Sequence, residues 1–171
     1  MEKIARFQKV SFRQFKKDFI KCNFGRRYSD QEIQDIYDKI ELPIRATKGS
    51  AGYDFKIPLD LILNKNYEYK IPTGIRCNMT DGWVLMLYPR SGLGFSRGLR
   101  LMNTVGIIDS DYFYSDNEGH IMAKIKHQTG EPMLKLSQGQ GFIQGVFVQY
   151  GITVDDNAKE IRNGGFGSTG N

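Results

Sequence analysis

LRLMNTVGIIDSDY (residues 99–112) is the stretch around which the chain is organised. It begins as an apolar strand (Leu99, Leu101 and Met102) and continues through a tight polar break. After Gly106, Ile107 and Ile108 lead directly into Asp109. Two β-branched residues stiffen a backbone, so we expect Ile107 and Ile108 to be buried and the Asp109 carboxylate to be firmly held. Glycine before them permits a sharp turn or the close approach of a ligand.

Two more side chains flank this carboxylate. Asn103 brings an amide donor and acceptor to the same turn, and Tyr112 places a ring three residues beyond Asp109. An ordinary β-hairpin with a solvated acid has the same pattern, because such turns are common. The rest of the chain has to decide between a plain turn and a binding site.

Length and composition indicate one globular domain. The chain has 171 residues, of which 40% are hydrophobic and 25% charged, enough to bury a core. No apolar run approaches the ~18 residues of a membrane span, and the first residues lack the apolar core of a signal peptide. Cys22 and Cys77 are too few for a disulfide scaffold and have no metal-ligand spacing, which favours a reducing, cytoplasmic setting.

The net charge of +5 is unevenly placed. Residues 1–48 carry 12 Lys and Arg against 7 Asp and Glu, whereas the remainder carries 12 of each. Such a surplus attracts anionic ligands in general. Because no nucleic-acid-binding module is recognisable, we expect no nucleic-acid partner.

The amino-terminal part has two sections. Residues 1–28 are interpreted as irregular and basic, with six apolar side chains that dock on the body: Ile4, Phe7, Val10, Phe12, Phe15 and Phe19. SDQEIQDIYDKI (29–40) is predicted to be a short helix, since Ser29 and Glu32 form a capping-box pair. Its apolar stripe consists of Ile33, Ile36, Tyr37 and Ile40.

From residue 41 the apolar pattern alternates with period two, as in β-strands. We predict strands at 51–57, 67–71, 75–79, 83–88, 121–125, 133–136 and 145–150. With 19 glycines and no second convincing helix, the body is predicted to be an all-β barrel or sandwich. RNGGFGSTG (162–170) has no apolar periodicity and is predicted to be a flexible arm.

Two Gly-rich segments offer groups suited to phosphate. PRSGLG (89–94) is predicted to be a turn in which Gly92 and Gly94 expose backbone amides, with Arg90 and the Ser91 hydroxyl beside them. Gln144 stands between glycines at the start of a strand, where a solvated side chain is the plainer interpretation.

His120 and His127 have no third ligand in the sequence, so we expect neither a structural metal nor a zinc hydrolase.

Five segments in order resemble the five motifs of the homotrimeric dUTPases: RATKGSAGYDF (45–55), YPRSGLGFSRG (88–98), LRLMNTVGIIDSDY (99–112), GFIQGVFV (141–148) and RNGGFGSTG (162–170). The first forty residues and the long segment after Tyr112 are similar to the branch found in Gram-positive bacteria and their phages. The resemblance implies a distorted jelly-roll β-barrel (β-clip). It divides the chain into an extension with a short helix (1–40), the barrel (41–158) and the flexible arm (159–171).

The resemblance also implies an activity, the Mg²⁺-dependent cleavage of dUTP to dUMP and pyrophosphate by a homotrimer in the bacterial cytoplasm. Asp109 would activate the attacking water, Tyr112 would stack under the deoxyribose and block a 2′-hydroxyl, and Asp54 would meet the hydrated Mg²⁺ through water. The other implied contacts are Asn103, Gly106, Ile107, Ile108 and Met122 for uracil, Arg90, Ser91, Gly92 and Gln144 for the phosphates, and Arg162, Phe166, Gly167 and Ser168 of the closing arm.

Three departures from the family pattern stand out. The fourth motif usually has an arginine where this chain has Gly141, so one contact is missing or replaced. The fifth motif usually has one more residue between its arginine and the Gly-Gly pair. FYSDN (113–117) replaces a much shorter turn and is predicted to be an exposed loop near the mouth of the site.

Two other functions fit parts of the same pattern. A dCTP deaminase shares the fold but carries a glutamate in a Thr-Leu-Glu segment, which this sequence lacks. A regulatory protein that uses the nucleotide as a switch and binds a bacterial repressor is the second alternative, and it is compatible with catalysis. The 113–117 loop and the basic amino-terminal segment would offer the surface for such a partner.

Overall fold

The computed structural model describes residues 2–22, 24–25 and 27–160. Within them, the α-helices are α1 (Phe12–Lys21), α2 (Asp30–Asp38) and α3 (Ser91–Arg97), and a 3₁₀-helix covers Ser110–Tyr114. The strands are β1 (Ala5–Lys9), β2 (Ile44–Arg45), β3 (Tyr53–Lys56), β4 (Leu61–Asn64), β5 (Glu68–Pro72), β6 (Ile75–Met79), β7 (Trp83–Pro89), β8 (Leu99–Leu101), β9 (Gly106–Ile108), β10 (Met122–His127), β11 (Met133–Leu136) and β12 (Gly141–Gln149).

All strand pairs found in the described residues are antiparallel. The largest sheet has the order β2-β3-β12-β7-β9, a second has the order β5-β10-β8, and two-stranded sheets join β1 to β6 and β11 to β4. Neighbours in the sheets are mostly distant in sequence, as expected of a jelly-roll-like fold. The predicted all-β class is confirmed, and so are the seven predicted strands, with ends shifted by a few residues.

The amino-terminal segment corrects the sequence interpretation, because its described residues form a strand and a helix. Strand β1 pairs with β6, which places Phe7 opposite Cys77. Helix α1 begins at the N-cap Ser11, whose side chain accepts a hydrogen bond from the Gln14 amide. Its spacing of aromatic residues is helical, a signal that the basic composition concealed. The predicted docking of apolar side chains is confirmed, since Phe15 and Phe19 are fully buried.

Helix α2 has the predicted capping box. The Ser29 side chain accepts from the Glu32 amide, and the Glu32 carboxylate accepts from the Ser29 amide. These bonds satisfy amides that a helix start leaves without intrahelical partners. Ile33 and Ile36 are buried against the body, which confirms the stripe as a packing face.

Helix α3 is a second correction. The segment PRSGLG was predicted as a turn, but Ser91–Arg97 is helical and ends at Gly98, whose φ of 66° is left-handed. Glycine adopts that conformation at low cost. The prediction of a single helix is therefore wrong.

One continuous apolar cluster joins the amino-terminal segment to the sheets. Phe15 and Phe19 of α1 belong to it together with Phe55 and Phe142 of the largest sheet. The proposed division at residues 40 and 158 stays a prediction. None of the helices in the described part of the chain is long and apolar enough to cross a membrane.

Candidate active site

The largest sheet brings together the side chains predicted to hold phosphate. In the register of β12, Gln144 stands opposite Asp54 of β3 on one side and Tyr88 of β7 on the other. The Gln144 side-chain amide donates to the Pro89 carbonyl at 3.4 Å. Asp54, Gln144 and the end of β7 therefore lie side by side, although they are far apart in sequence.

Arg90 completes this group. Its Nε lies 3.1 Å from Asp54 Oδ1, and its backbone amide donates to the Phe142 carbonyl at 3.2 Å. The Arg90 side chain remains 41% exposed. A guanidinium carries five donors, and the pair with Asp54 uses one of them while fixing the direction of the side chain. A partly exposed guanidinium of this kind can receive a phosphate oxygen.

Ser91 and Gly92 follow at the start of α3, and both are exposed. A Cβ built on Gly92 would meet nothing within 4 Å, so an open space adjoins its backbone. The first amides of a helix have no intrahelical acceptor. This segment of backbone is accordingly open to a ligand beside Arg90.

Gly141 gives the Arg90 side chain its place. A Cβ built on Gly141 would lie 2.6 Å from Arg90 Nη1 and 3.0 Å from Arg90 Cδ. The guanidinium therefore lies over the bare backbone at the position where the family pattern has an arginine. Sequence reasoning recorded Gly141 only as a departure, because nothing in the sequence shows that Arg90 fills the space.

The predicted catalytic hairpin lies on the other side of β7. Strand β9 pairs with β7, with Ile107 opposite Met86 and Ile108 opposite Leu85. Ile108 is buried as expected, but Ile107 is 51% exposed, so the prediction that both are buried is wrong. Alternation along a strand forces this result, since neighbouring side chains point to opposite faces.

Close packing explains Gly106. A Cβ built there would lie 3.0 Å from Leu87 Cβ, so only glycine lets β9 approach β7 this closely. The turn before it is tight, because the Val105 amide donates to the Asn103 carbonyl at 2.6 Å and Thr104 has a φ of 63°. The Asn103 side chain is exposed at this turn.

Asp109 is half-buried and caps the 3₁₀-helix, where its carbonyl accepts from the Tyr112 amide at 3.2 Å. The Tyr112 ring is buried, and its hydroxyl donates to the His120 carbonyl at 2.8 Å while accepting from Asn117 Nδ2 at 2.7 Å. Because the ring is buried and both the backbone amide and the side-chain hydroxyl of Tyr112 are hydrogen-bonded, the ring has a fixed orientation.

Met122, the last residue predicted to complete the hairpin, is buried at the start of β10. Lys124 also belongs to β10, and its carbonyl accepts from the Met102 amide at 2.9 Å. Met102 directly follows β8, so this bond places the carboxyl end of β8 near Met122. The contacts of Met122 with a nucleotide stay a prediction.

The segment 113–117 is only partly the exposed loop that was predicted. Tyr114 is 76% exposed, but Ser115 is buried. The Phe113 carbonyl accepts from Arg76 Nη2 at 2.9 Å, and Asn117 holds the Tyr112 hydroxyl. The prediction of an exposed loop therefore holds for Tyr114 and Asp116 and is wrong for Ser115. The segment also contacts β6 through the Phe113 carbonyl.

The two groups lie at opposite ends of β7 within one chain. Asp109 follows Ile108, which is paired with Leu85, whereas Arg90 follows Pro89 at the other end of the strand. At about 3.3 Å per residue, this register separates the two backbones by roughly 15 Å or more. Sequence reasoning treated them as one pocket. In one chain, the fold brings Arg90, Asp54 and Gln144 together but keeps Asp109 and Tyr112 away from them.

Metal ligands were predicted only at Asp54, through water. Among the residues that the structure describes, no group of three or more His, Cys, Asp or Glu could hold a metal. The Asp54 side chain is 20% exposed and pairs with Arg90, and its contact with a metal through water stays a prediction. The predicted arm residues Arg162, Phe166, Gly167 and Ser168 lie outside the described residues.

Comparison with known proteins shows the family of the chain. The dUTPase family profile matches residues 38–170. The deoxyuridine 5'-triphosphate nucleotidohydrolase of Lactococcus lactis is 40% identical over 134 residues, covering 77% of this chain and 89% of the relative. The crystal structure of the Streptococcus mutans dUTPase is similar with a TM-score of 0.64 and 31% identity, covering 88% of this chain and 98% of that one.

A mutant dUTPase from phage phi11 of S. aureus, described as coordinating a structural Mg(II) ion, has a TM-score of 0.63 at 16% identity. It covers 92% of this chain and 98% of its own, and at that identity it shows the fold alone. The profile match and the two relatives above 30% identity show the family as well as the fold. The chain belongs to the dUTPase family.

Proposed function

We propose that this chain hydrolyses dUTP to dUMP and pyrophosphate, with Asp109 as the base that activates water. The family membership and the similarity to named nucleotidohydrolases support the activity. The observation that carries the mechanism is the position of Asp109, a half-buried residue that follows the edge strand β9 and accepts through its carbonyl from the Tyr112 amide. Asp109 would take a proton from water, whose oxygen attacks the α-phosphorus as pyrophosphate leaves.

Uracil selection follows from the position of β9. This strand is the last in the sheet order, so one side of its backbone pairs with β7 and the other side is an edge. An edge strand presents alternating amides and carbonyls. The backbone from Gly106 to Ile108 would pair with the base, with Asn103 and Met122 completing the hairpin pocket. Cytosine would leave buried polar groups unpaired and be rejected.

Sugar selection would come from Tyr112. Its hydroxyl is bound at both the His120 carbonyl and Asn117 Nδ2, so the ring does not swing aside for a bulkier sugar. A rigid ring under the deoxyribose would occupy the volume that a 2′-hydroxyl needs. UTP should therefore be a much poorer substrate than dUTP.

The triphosphate would lie against Arg90, Ser91, Gly92 and Gln144. Phosphoryl transfer depends mainly on positioning and on neutralising charge. Mg²⁺, when bound on the triphosphate, would supply part of that neutralisation. Asp54 would face its water shell while continuing to orient Arg90.

The site is proposed to form between chains of a homotrimer. The separation of Asp109 from Arg90 along β7 supports this directly, because one chain does not place both on one nucleotide. Phe95 of α3 is 95% exposed and Ile107 is half-exposed, which suits surfaces that meet a neighbouring copy. Arg162, Phe166, Gly167 and Ser168 would close over the nucleotide from a further chain.

A cytoplasmic location of the protein fits its two free cysteines, Cys22 and Cys77.

A bacterial repressor would be a partner that binds through the exposed Tyr114 side chain. Co-elution of the purified chain with a purified repressor, lost on Tyr114→Ala, is the measurement that decides it.

Asp109→Asn tests the catalytic proposal. The amide keeps the shape but removes the base, so kcat should fall roughly 10²-fold or more while nucleotide binding remains. Asp116→Asn is the matched control, since Asp116 is an exposed carboxylate in the following segment with no proposed role. Hydrolysis of dUTP by Asp109→Asn at the wild-type rate would refute the assignment.

A further inference from the structure

Helix α1 and its N-cap Ser11 lie outside residues 38–170, which the family profile matches. They contact the segment after Asp109 at two points. At the first, Glu118 accepts from the Ser11 amide at 2.7 Å and from the Ser11 hydroxyl at 2.6 Å. At the second, Asp18 Oδ2 lies 2.6 Å from His120 Nδ1. Both contacts join residues more than one hundred positions apart in the sequence.

The His120 contact is built into the interior. The imidazole is fully buried, and its Nε2 accepts from the Gly74 amide at 2.8 Å. A ring nitrogen that accepts carries no proton, so Nδ1 carries it and donates to Asp18. Asp18 also accepts from Gln14 Nε2 at 2.7 Å within α1. The ring is therefore clamped between α1 and the loop before β6.

The clamped residue touches the catalytic segment through its backbone. The His120 carbonyl accepts the Tyr112 hydroxyl, and the His120 amide donates to the Asn117 carbonyl at 3.1 Å. Asn117 in turn donates to the same hydroxyl. A displacement of His120 thus moves both partners that orient the Tyr112 ring.

The Glu118 contact holds the same loop from the other side. Glu118 has a φ of 59°, a left-handed conformation that a non-glycine residue adopts only when its surroundings impose it. Burial raises the pKa of its carboxyl, but the hydrogen bonds from Ser11 more than offset this, and the pKa lies below its ordinary value. The charged carboxylate and two donors hold the strained residue in place.

We propose that α1 and its N-cap act as a brace, in which Ser11 and Asp18 are positioning residues for dUTP hydrolysis that act through Glu118 and His120 on Tyr112 and Asp109. This inference rests on the proposed roles of Tyr112 and Asp109. It assigns a catalytic purpose to an element that has no residue in the site. Without these contacts the Tyr112 ring is less firmly oriented. The rate of dUTP hydrolysis then falls, and UTP is discriminated less well from dUTP.

The test is a double-mutant cycle between Asp18→Ala and Tyr112→Phe, with kcat/KM measured for dUTP and for UTP. Asp18→Ala should lower kcat/KM for dUTP about tenfold and raise the UTP-to-dUTP ratio, because small displacements of positioned groups are costly. Tyr112→Phe already frees the ring from His120. In that background Asp18→Ala should change the ratio by less than about twofold.

Two measurements separate positioning from general destabilisation. Asp30→Asn removes the 2.6 Å ion pair between Lys16 of α1 and Asp30 of α2 without touching the 110–120 segment, and it should leave the ratio unchanged. Hydrogen exchange at the amides of Tyr112 and Ser115 should speed up in Asp18→Ala and not in Asp30→Asn. If Asp18→Ala does not fold, Ser11→Ala and Glu118→Gln replace it in the same cycle.

The outcomes are distinct. An unchanged ratio and unchanged exchange in a folded Asp18→Ala chain would overturn the brace, and so would additive effects in the cycle. Absence of dUTP hydrolysis in the wild-type chain would overturn the proposed function. The exchange measurement reads the brace in that case too, because it does not depend on activity.

Discussion

Arg90 and Asp54 form an ion pair with Nε and Oδ1 3.1 Å apart, and the guanidinium of that pair lies over the bare backbone of Gly141. The pair is partly exposed, so its contribution to stability is small. Its importance lies in direction, since it holds the Arg90 side chain beside Asp54, which stands opposite Gln144, and α3 begins at the next residue.

Gly141→Ala should weaken dUTP binding. A methyl group at that position would lie 2.6 Å from Arg90 Nη1, so the guanidinium has to move from its place beside Asp54. We expect KM for dUTP to rise about tenfold with a smaller change in kcat, as one charged contact is worth about 1.5–3 kcal/mol. Gly151→Ala is the control, because a Cβ there meets nothing within 4 Å. Equal KM values for the two variants would contradict the role of Gly141.

Substitutions and a deletion within residues 114–117 should behave differently. Tyr114→Ala and Asp116→Ala remove exposed side chains and should leave dUTP hydrolysis within about twofold of wild type. Removing all four residues also removes Asn117, the donor to the Tyr112 hydroxyl, and the buried Ser115. That deletion should lower both kcat and the melting temperature. A fully active deletion variant would show that Tyr112 needs no support from this segment.

The contacts that join α1 to the segment after Asp109 could not be predicted from the sequence. Alternating apolar residues predicted the strands, and Ser29 with Glu32 predicted a helix start, because both signals are local. The contacts of Asp18 with His120 and of Ser11 with Glu118 depend on how distant segments pack, and nothing in either local pattern specifies the partner.

Site residues show the same limit. The resemblance to family motifs named Asp109 and Arg90, but it did not show that one chain holds them at opposite ends of β7. Exposure of Ile107 follows from strand alternation and was open to prediction, whereas helix α3 was missed because its glycines favour a turn.

Asp18 should make stability depend on acid pH. Burial raises the pKa of its carboxyl, but hydrogen bonds from His120 and Gln14, with the nearby Lys21 charge, bring it below the ordinary value of 3.8. A lowered pKa in the folded state stabilises the protein above the ordinary value, and that contribution is lost as the pH falls toward the folded pKa. Asp18→Asn should therefore lower the urea midpoint clearly at about pH 6 and much less at about pH 3. An equal difference at both pH values would contradict the linkage.

Both cysteines should react slowly in the folded chain. Burial raises the pKa of Cys22 to about 11 and that of Cys77 to about 12. At pH 8 the Cys22 thiolate is then only about one part in 10³, and thiolate is the reactive form. Ellman's reagent should modify neither thiol at the rate of free cysteine, and both should react rapidly in urea. Fast modification of Cys22 in the native chain would contradict its burial.

Chains that carry Arg90→Ala and chains that carry Asp109→Asn should restore each other's activity when they are mixed. Asp109 and Arg90 leave β7 at opposite ends, so a site that needs both has to take them from two chains. Arg90→Ala and Asp109→Asn chains should each be nearly inactive. After subunit exchange, mixed trimers contain sites with Asp109 from one chain and Arg90 from the other, and these sites are intact.

The measurement is dUTP hydrolysis before and after exchange, with mixed trimers confirmed by native mass spectrometry. A chain that carries both substitutions is the control, because mixing it with Asp109→Asn chains creates no intact site. Recovery in the first mixture and none in the second would support a shared site. If confirmed mixed trimers stay inactive, Asp109 and Arg90 have to act within one chain, and β7 would have to bend in a way that its continuous pairing with β12 does not allow.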